Sequence, residues 1–387
     1  MRVFLIAGEA SGDKLGAALM AGLKTLAPDV EFLGVGGDGM QAAGMTSLFA
    51  MDELSVMGLV EILPKYRQLK RRISETAAAV VAAKPDVLIT IDSPDFCLRV
   101  AKKVKARADI RTVHYVAPSV WAWRPGRAVR MARHIDQVLA LLPFEPPLME
   151  AAGMRCDFVG HPVVSEPSVI QKAKLDFRKV HGLGGEPVIL VLPGSRRGEV
   201  SRLAPVFGAA LRPVLDVHPG ARVLVPAAGA VAGDVRDAVT HWPGNPVILD
   251  PRELPVEQAE MRKRTAFTVA DVALAASGTV SLELAAAGTP SVIAYDMNWL
   301  TWQIMSRMAK IDTVTLTNLV SETRAVPEFL GPACQPLPIG AALLALLDQP
   351  QLRERQIEAM QQTMKALGAG GDAPGLRAAR AVLDGLG

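Results

Sequence analysis

Short, unbroken runs of Val, Ile and Leu punctuate this chain and alternate with longer stretches in which apolar residues recur at helical spacing. The runs fall near 2–7, 31–35, 86–91, 111–116, 137–141 and 157–159 in the first half. In the second they fall near 188–192, 222–226, 246–249, 271–275, 291–295 and 313–316. They do not alternate apolar with polar residues, the pattern of strands buried on both faces. The stretches between them have helical lengths and end at Gly or Pro, so each half predicts a parallel sheet with crossover helices. Polar residues, Pro162, Pro167 and the pair Gly184-Gly185 gather between Gly160 and Glu186. The pattern therefore predicts one domain over 1–165 and a second over 186–338. A last run, 339–387, carries helical spacing only and predicts helices that pack on the domains or cross between them.

In each half one strand-like run ends in a glycine-rich turn that opens a helix. Residues 3–7 lead into Gly8-Glu9-Ala10-Ser11-Gly12-Asp13, and residues 188–192 into Pro193-Gly194-Ser195-Arg196-Arg197-Gly198-Glu199. In a doubly wound sheet, ligands bind beyond the carboxyl ends of the strands, where such turns lie. Glycine lets the backbone approach a ligand, and the following helix offers unpaired N–H groups and the positive end of its dipole. The expected fold class is α/β: two Rossmann-like doubly wound domains facing a cleft for two substrates, with C-terminal helices.

Composition bounds the function. Of 387 residues, 50% are hydrophobic and 21% charged, a globular balance, and the length calls for two cores. Cys97, Cys156 and Cys334 share no ligand spacing, which suits a reducing cytoplasm and points away from disulfides or a zinc site. The net charge of +3 is too small to argue for nucleic acid, and leaves an anionic membrane surface open. Met1-Arg2 and the apolar run after it read as a strand, because Glu9 and Asp13 follow too soon for a signal peptide. No stretch reaches the length of a membrane-spanning helix. His114, His161 and His181 share no metal spacing, and neither a His-Glu-x-x-His pattern nor a P-loop occurs.

Three turns carry candidate chemistry. Ser277-Gly278-Thr279 follows a strand and opens a helix, where hydroxyls and free N–H groups suit a nucleotide diphosphate. Glu283 lies one turn inside that helix among apolar residues. Two ribose hydroxyls would satisfy it, and so would simple exposure to solvent; both readings stand. Arg196 and Arg197 sit on the second glycine-rich turn, where a guanidinium grips phosphate oxygens with two hydrogen bonds. The position favours Arg196 over Arg197, and the plain alternative is a solvated basic loop. In Ile91-Asp92-Ser93-Pro94-Asp95, Ser93 fits a helix N-cap, Pro94 the first helical position and Asp95 the first turn. Capping leaves Asp92 unaccounted for, and a carboxylate at a strand's carboxyl end is placed for general-base work.

Two segments join apolar to basic residues. Residues 54–63 (LSVMGLVEIL) hold a single charge, Glu61, and Pro64 then opens a helix with Lys65, Arg67, Lys70, Arg71 and Arg72. Tyr66, Leu69, Ile73 and Val80 form its apolar stripe. Taken alone the segment reads as a core helix; apolar residues beside a dense basic cluster also suit a segment dipping into an anionic bilayer. Residues 115–124 place Trp121 and Trp123 beside Arg124, Arg127, Arg130 and Arg133, spaced along one drifting helix face. The plain reading is a solvated stripe, and the functional one a patch for headgroup phosphates.

A set of segments, in order along nearly the whole chain, resembles the lipid-A-disaccharide synthases, a family of bacterial glycosyltransferases. They are AGEASGDKLGA (7–17), VMGLVEIL (56–63), KPDVLITIDSPDF (84–96), HYVAPSVWAWRPGR (114–127) and LPFE (142–145). They continue with FVGHP (158–162), LPGSR (192–196), ASGTVSLELAAAGTP (276–290), TNL (317–319) and VPEFL (326–330). The Trp-Ala-Trp loop and the Ser-Gly-Asp turn are specific to that family. The resemblance implies a GT-B fold and transfer of 2,3-diacylglucosamine from its UDP derivative to the 6-hydroxyl of 2,3-diacylglucosamine 1-phosphate. The products are a β-1,6-linked disaccharide 1-phosphate and UDP, with inversion at the anomeric centre, no cofactor and no bound metal.

The resemblance also implies roles for residues. Donor UDP is expected on Gly194, Ser195, Arg196, Ser277, Gly278, Thr279 and Glu283, with Asn318 as a further contact. Asp92 is the expected base, and Glu9, Ser11, Gly12 and Asp13 line the acceptor side. Val56, Met57, Leu59, Val60, Ile62, Leu63, Trp121 and Trp123 are expected to meet acyl chains or membrane. The implied partners are the two acylated sugar substrates and anionic lipid, with no nucleic acid and a homodimer left open. The implied place is peripheral, on the inner face of the cytoplasmic membrane. Gly-Gly-Asp-Gly-Met (36–40) departs from the Gly-Pro-Arg-Met of many relatives, so no arginine is offered to an acceptor phosphate there. Two rivals share the architecture: a UDP-N-acetylglucosamine 2-epimerase-like enzyme, which needs no apolar-basic patch, and a non-catalytic ligand-binding protein of two lobes.

Overall fold

The computed structural model describes residues 1–54, 59–124 and 126–387, with the side chains of all of these but 59–66 and 300. Val56 and Met57 of the expected membrane segment lie outside the described residues, as do the side chains of Leu59, Val60, Ile62 and Leu63. The chain divides into two compact units, Met1–Ser165 with Leu367–Gly387, and Glu166–Ala366.

The first unit holds β1 (Arg2–Ala7), β2 (Glu31–Val35), β3 (Thr46–Ser47), β4 (Val87–Ile91), β5 (Arg111–Tyr115), β6 (Gln137–Ala140) and β7 (Arg155–Phe158). They form one sheet in the order β3-β2-β1-β4-β5-β6-β7. The second unit holds β8 (Val188–Leu192), β9 (Arg222–Pro226), β10 (Val247–Leu249), β11 (Val272–Ala275), β12 (Ser291–Tyr295) and β13 (Glu328–Leu330), in the order β10-β9-β8-β11-β12-β13. Every pairing among them is parallel. Each sheet grows outward from a central strand in one direction, then returns to that strand's other side. The reversal falls between β1 and β4 in the first sheet and between β8 and β11 in the second, and there the strand ends open a crevice.

Helices on both faces explain the unbroken apolar runs. In the first sheet Phe4, Ile6 and Leu88 pack with Ile73, Val80, Phe96 and Val100, while Val3, Leu5 and Ile89 pack with Leu15, Leu19 and Leu23 on the other side. Burying such strands on both faces is the main source of stability in this architecture.

Two expectations change. Residues 313–316 form no strand: Thr313, Val314 and Thr315 lead into the helix Leu316–Ser321, and the sixth strand of the sheet is Glu328–Leu330. The β-branched run satisfies its backbone on a side chain instead, because Oε1 of Glu328 accepts the amides of Val314 and Thr315 at 3.0 and 2.6 Å. The helix expected from Pro64 spans Leu59–Ala83, so Pro64 lies within it; Ile73 and Val80 of its stripe are buried. The strand-free C-terminal run is divided between the units. Pro336–Asp348 and Pro350–Ala366 are helices of the second, while the helix Pro374–Leu386 lies along Ala10–Leu26 in the first. That contact is backbone-close: a Cβ on Gly22 would stand 2.5 Å from the carbonyl oxygen of Gly375. Among the described residues, no helix is long and apolar enough to cross a membrane.

Candidate active site

The switch point of the second sheet opens into a cavity of about 620 Å³. Gly194, Ser195, Arg196 and Glu199 enter it from the turn after β8, and Ser277, Gly278, Thr279 and Glu283 from the turn and helix after β11. The helix Val256–Val269 adds Glu260, Arg262 and Lys263. Two helices, Arg197–Val217 and Val280–Ala287, begin at this cavity. Their first N–H groups lack intrahelical partners, and with the dipoles they favour an anion. The cavity thus combines donors for phosphate, hydroxyls, and a carboxylate for hydroxyl groups.

The Arg196 turn has a built interior. Gly194 adopts φ +122°, and a Cβ there would lie 2.6 Å from Cβ of Glu199. Oε2 of Glu199 accepts the amides of Ser195 and Arg196 at 3.0 and 3.3 Å, and Oε1 accepts Nη1 of Arg196 at 3.1 Å. The Tyr295 hydroxyl, at the end of β12, donates to the same Oε1 at 3.3 Å, and burial together with that carboxylate pushes its phenol up. Glu283 pairs with Lys263, and burial followed by the Glu283 charge pushes the carboxyl of Glu166 up.

Asn318 takes no part in the cavity. It is 1% exposed, its amide nitrogen donates to the Val326 carbonyl at 2.9 Å, and its oxygen accepts the Val326 amide at 3.0 Å. Both ends of the side chain are spent on the fold, bracketing the loop that leads to β13.

In the first sheet, Asp92 and Ser93 follow β4 directly beside the turn after β1. Ser93 Oγ would stand 2.6 Å from a Cβ on Gly8, so only glycine fits that approach. Asp92 and Ser93 both have left-handed backbones, φ +51° and +42°, and Val116 after β5 has φ +85°. Residues in this region carry backbone strain that the surrounding fold must hold in place. The Ser93 amide donates to Oδ1 of Asp92 at 2.9 Å, and the Asp92 amide to the Tyr115 carbonyl at 3.0 Å. Ser93 stands at the N-cap position but makes no side-chain capping bond, in contrast to the expectation; Pro94 does open the helix Pro94–Lys105, and Asp95 lies in its first turn.

Of the residues expected on the acceptor side, Glu9 and Ser11 are exposed and Gly12 packs against the Ile91 carbonyl, at 3.4 Å from a Cβ placed on it. Asp13 is turned into the fold. Its carboxylate accepts the amides of Gly37, Gly39 and Met40 at 2.8, 2.8 and 3.0 Å, bracing the glycine-rich turn after β2. Trp121 is likewise engaged: its Nε1 donates to Oε1 of Glu145 at 3.3 Å and its ring meets Phe144 edge-on at 5.4 Å. Trp123 carries the guanidinium of Arg124 at 4.2 Å over its ring.

The pattern reading missed Glu145, Glu199, Lys263 and Tyr295. Glu199 had a signal, an acidic residue three positions after a helix N-cap. Glu145 is buried, accepts the amides of Leu141 and Leu142, and is pushed up to about 7 by desolvation. Nothing in its neighbours along the chain announces that.

Two Rossmann-like domains in one chain, the second with an anion-suited cavity at its switch point, define the GT-B class of fold. Solved structures agree. A UDP-GlcNAc 2-epimerase from Neisseria meningitidis superposes with a TM-score of 0.66 at 12% identity, covering 100% of this chain and 99% of its own. The calicheamicin glycosyltransferase CalG4 gives 0.57 at 16%, covering 99% and 97%. Sequence relationship goes further. Residues 3–372 match the family model described as lipid-A-disaccharide synthetase. The lipid-A-disaccharide synthase of Ruegeria pomeroyi is 66% identical, over 100% of this chain and 96% of its own length, and that of Rhodospirillum centenum 43%, over 99% and 94%. The chain belongs to the lipid-A-disaccharide synthetase family, and is thus a glycosyltransferase, not a 2-epimerase or a non-catalytic binding protein.

Proposed function

We propose that the chain transfers 2,3-diacylglucosamine from its UDP derivative to the 6-hydroxyl of 2,3-diacylglucosamine 1-phosphate. The observation that carries the reading is the convergence of the Gly194-Ser195-Arg196 turn, the Ser277-Gly278-Thr279 turn and Glu283 on one cavity. A donor diphosphate there meets helix N-termini and a guanidinium, while the ribose hydroxyls donate to Glu283.

In the first domain Asp92 is the base. It takes the proton of the acceptor 6-hydroxyl as that oxygen bonds to the anomeric carbon. The bond from that carbon to the UDP oxygen breaks on the opposite face, so the configuration inverts and the electron pair leaves on the β-phosphate. Arg196 and the amide donors of its turn stabilise that charge as it develops. Glu9 and Ser11 are the acceptor-side contacts on this reading; Asp13 supports them from within the fold.

Both substrates carry acyl chains, so the enzyme works at a lipid surface, as a peripheral protein on the inner face of the cytoplasmic membrane. Residues 56–63 supply apolar contact, and Arg67, Lys70 and Arg71, all exposed, supply charge. The test is turnover of radiolabelled acceptor phosphate with the UDP-diacylglucosamine donor. A disaccharide phosphate with release of UDP is the expected result. An interconverted UDP-sugar, or no turnover by folded protein, overturns the reading.

A further inference from the structure

Glu199 does more than an acidic residue at the start of a helix needs to do. A Glu or Gln at the third helical position ordinarily returns to the N-cap amide, and Oε2 of Glu199 does so on Arg196, taking the Ser195 amide as well. Capping does not require the other oxygen to hold the Arg196 guanidinium, nor a tyrosine from a neighbouring strand to fix that oxygen, yet both contacts are present. A second tie joins the same helix to the residue after β12, where Arg202 Nη1 lies 3.7 Å from Asp296. The exposures differ sharply: the Glu199 side chain is 13% exposed and that of Arg196 70%. A fixed carboxylate therefore holds a guanidinium that otherwise stands in solvent. Nη1 is the guanidinium nitrogen engaged; Nε and Nη2 have no protein partner among the described residues.

We propose that Glu199 is a positioning residue for the donor diphosphate: anchored by Tyr295, its carboxylate presets the Arg196 guanidinium so that Nε and Nη2 are offered to phosphate oxygens. This rests on the donor-site reading above. A long side chain free in solvent gives up rotamer freedom when it binds, and one already pinned gives up less. The planar guanidinium suits the arrangement, because one edge can rest on a carboxylate while another keeps its donors in a fixed fork. The carboxylate opposes the incoming phosphate charge at the same time. The reading asserts that preorganisation outweighs this repulsion, which gives the experiment a sign.

Glu199→Gln separates the two tasks. Glutamine caps a helix as glutamate does, so its oxygen can stay on the Ser195 and Arg196 amides, while its NH2 group cannot accept from the guanidinium. Calorimetry with UDP and with uridine on the full chain is the measurement. E199Q weakens UDP by about fivefold and leaves uridine unchanged, and in an Arg196→Ala background it no longer weakens UDP, leaving affinity equal or slightly tighter as the carboxylate's repulsion is relieved. Tyr295→Phe gives a smaller loss of the same kind, again only when Arg196 is present, and serves if E199Q fails to fold. Unchanged or tighter UDP binding by E199Q, an equal loss with and without Arg196, or a matching loss for uridine overturns the proposal and leaves the donor site standing. If Arg196→Ala itself fails to weaken UDP, the donor-site reading falls, and this inference with it.

Discussion

Nζ of Lys263 lies 2.5 Å from Oε2 of Glu283, so the carboxylate in the cavity of the second domain carries its own counter-ion. The two side chains are 35% and 29% exposed, and a pair so open to solvent adds little to stability. On the proposed reading the pair fixes the direction of the Glu283 carboxylate, which accepts from the ribose hydroxyls. Glu283→Gln then weakens both UDP and uridine by about tenfold, because the ribose is common to both and a hydrogen bond to a charged group is lost. Arg196→Ala weakens UDP alone. Titration calorimetry with the two ligands reads both effects. Unchanged affinity in both variants removes these residues from the site.

Asp92→Asn tests the base. The substitution keeps shape and removes the proton acceptor, so kcat falls at least ~100-fold, the usual scale for general-base loss. Folding is spared for a local reason. Asp92 sits at φ +51°, a region that asparagine tolerates better than other residues do. Rates under saturating substrate, together with an unchanged melting point, check this; near-normal turnover moves the role of base to Glu9.

The sheets were legible because strands buried on both faces must be continuous apolar runs, as 188–192 and 87–91 are. The same rule failed at 313–316, where Thr-Val-Thr has strand composition but hands its amides to Glu328, a partner the local sequence does not name. Thr46–Ser47 was too short to leave any pattern. That the Gly194 and Gly278 turns and Arg196 border one cavity was legible because backbone geometry and charge are properties of a few consecutive residues. The inward bonding of Asp13 and Asn318 was not legible, for the complementary reason. Each is a polar residue near a functional turn, and its satisfaction inside the fold depends on amides such as those of Gly37 and Val326 that sequence spacing does not bring near.

Glu145 gives a prediction about pH. Burial raises its carboxyl from the ordinary 4.5 to about 7, against the pull of the Leu142 amide, the Trp121 indole and the Leu141 amide. Between those two values the folded chain holds a proton that the unfolded chain has released. The unfolded state binds fewer protons there, so this group makes stability fall as pH rises through the window, and adds no further slope above it. The full span is about 3 kcal/mol, at 1.36 kcal/mol per pKa unit. Glu145→Gln cannot titrate, so its melting temperature varies less than that of the wild type between about pH 5 and about pH 8. Thermal scans across that range decide it. A variant that keeps the wild-type slope places the proton elsewhere.

The membrane reading separates cations that the sequence presents as one cluster. Arg72 is committed to the fold: it bonds Glu53 through Nε at 2.9 Å, pairs with Glu75 at 2.8 Å, and lies 4.3 Å over the Phe49 ring. Arg67 and Arg71 are exposed on the same helix, Leu59–Ala83. Arg67→Glu and Arg71→Glu should therefore weaken binding to phosphatidylglycerol vesicles, each by about 2 kcal/mol since each reverses a charge worth about 1 kcal/mol near such a surface, and leave the melting temperature unchanged. Arg72→Glu should do the reverse, lowering the melting temperature by breaking the Glu53 and Glu75 contacts. Replacing Val56, Leu59 and Val60 by Ser removes apolar contact instead, so release from vesicles should then occur at any salt concentration, whereas high salt alone should release the wild type only in part. Vesicle flotation paired with thermal melts measures both properties on each variant. If Arg67→Glu and Arg71→Glu float as the wild type does, or the triple serine variant unfolds, this helix is not the seat on the membrane. Trp123 and the arginines beside it, with Arg124 stacked on its ring at 4.2 Å, then become the surface to test.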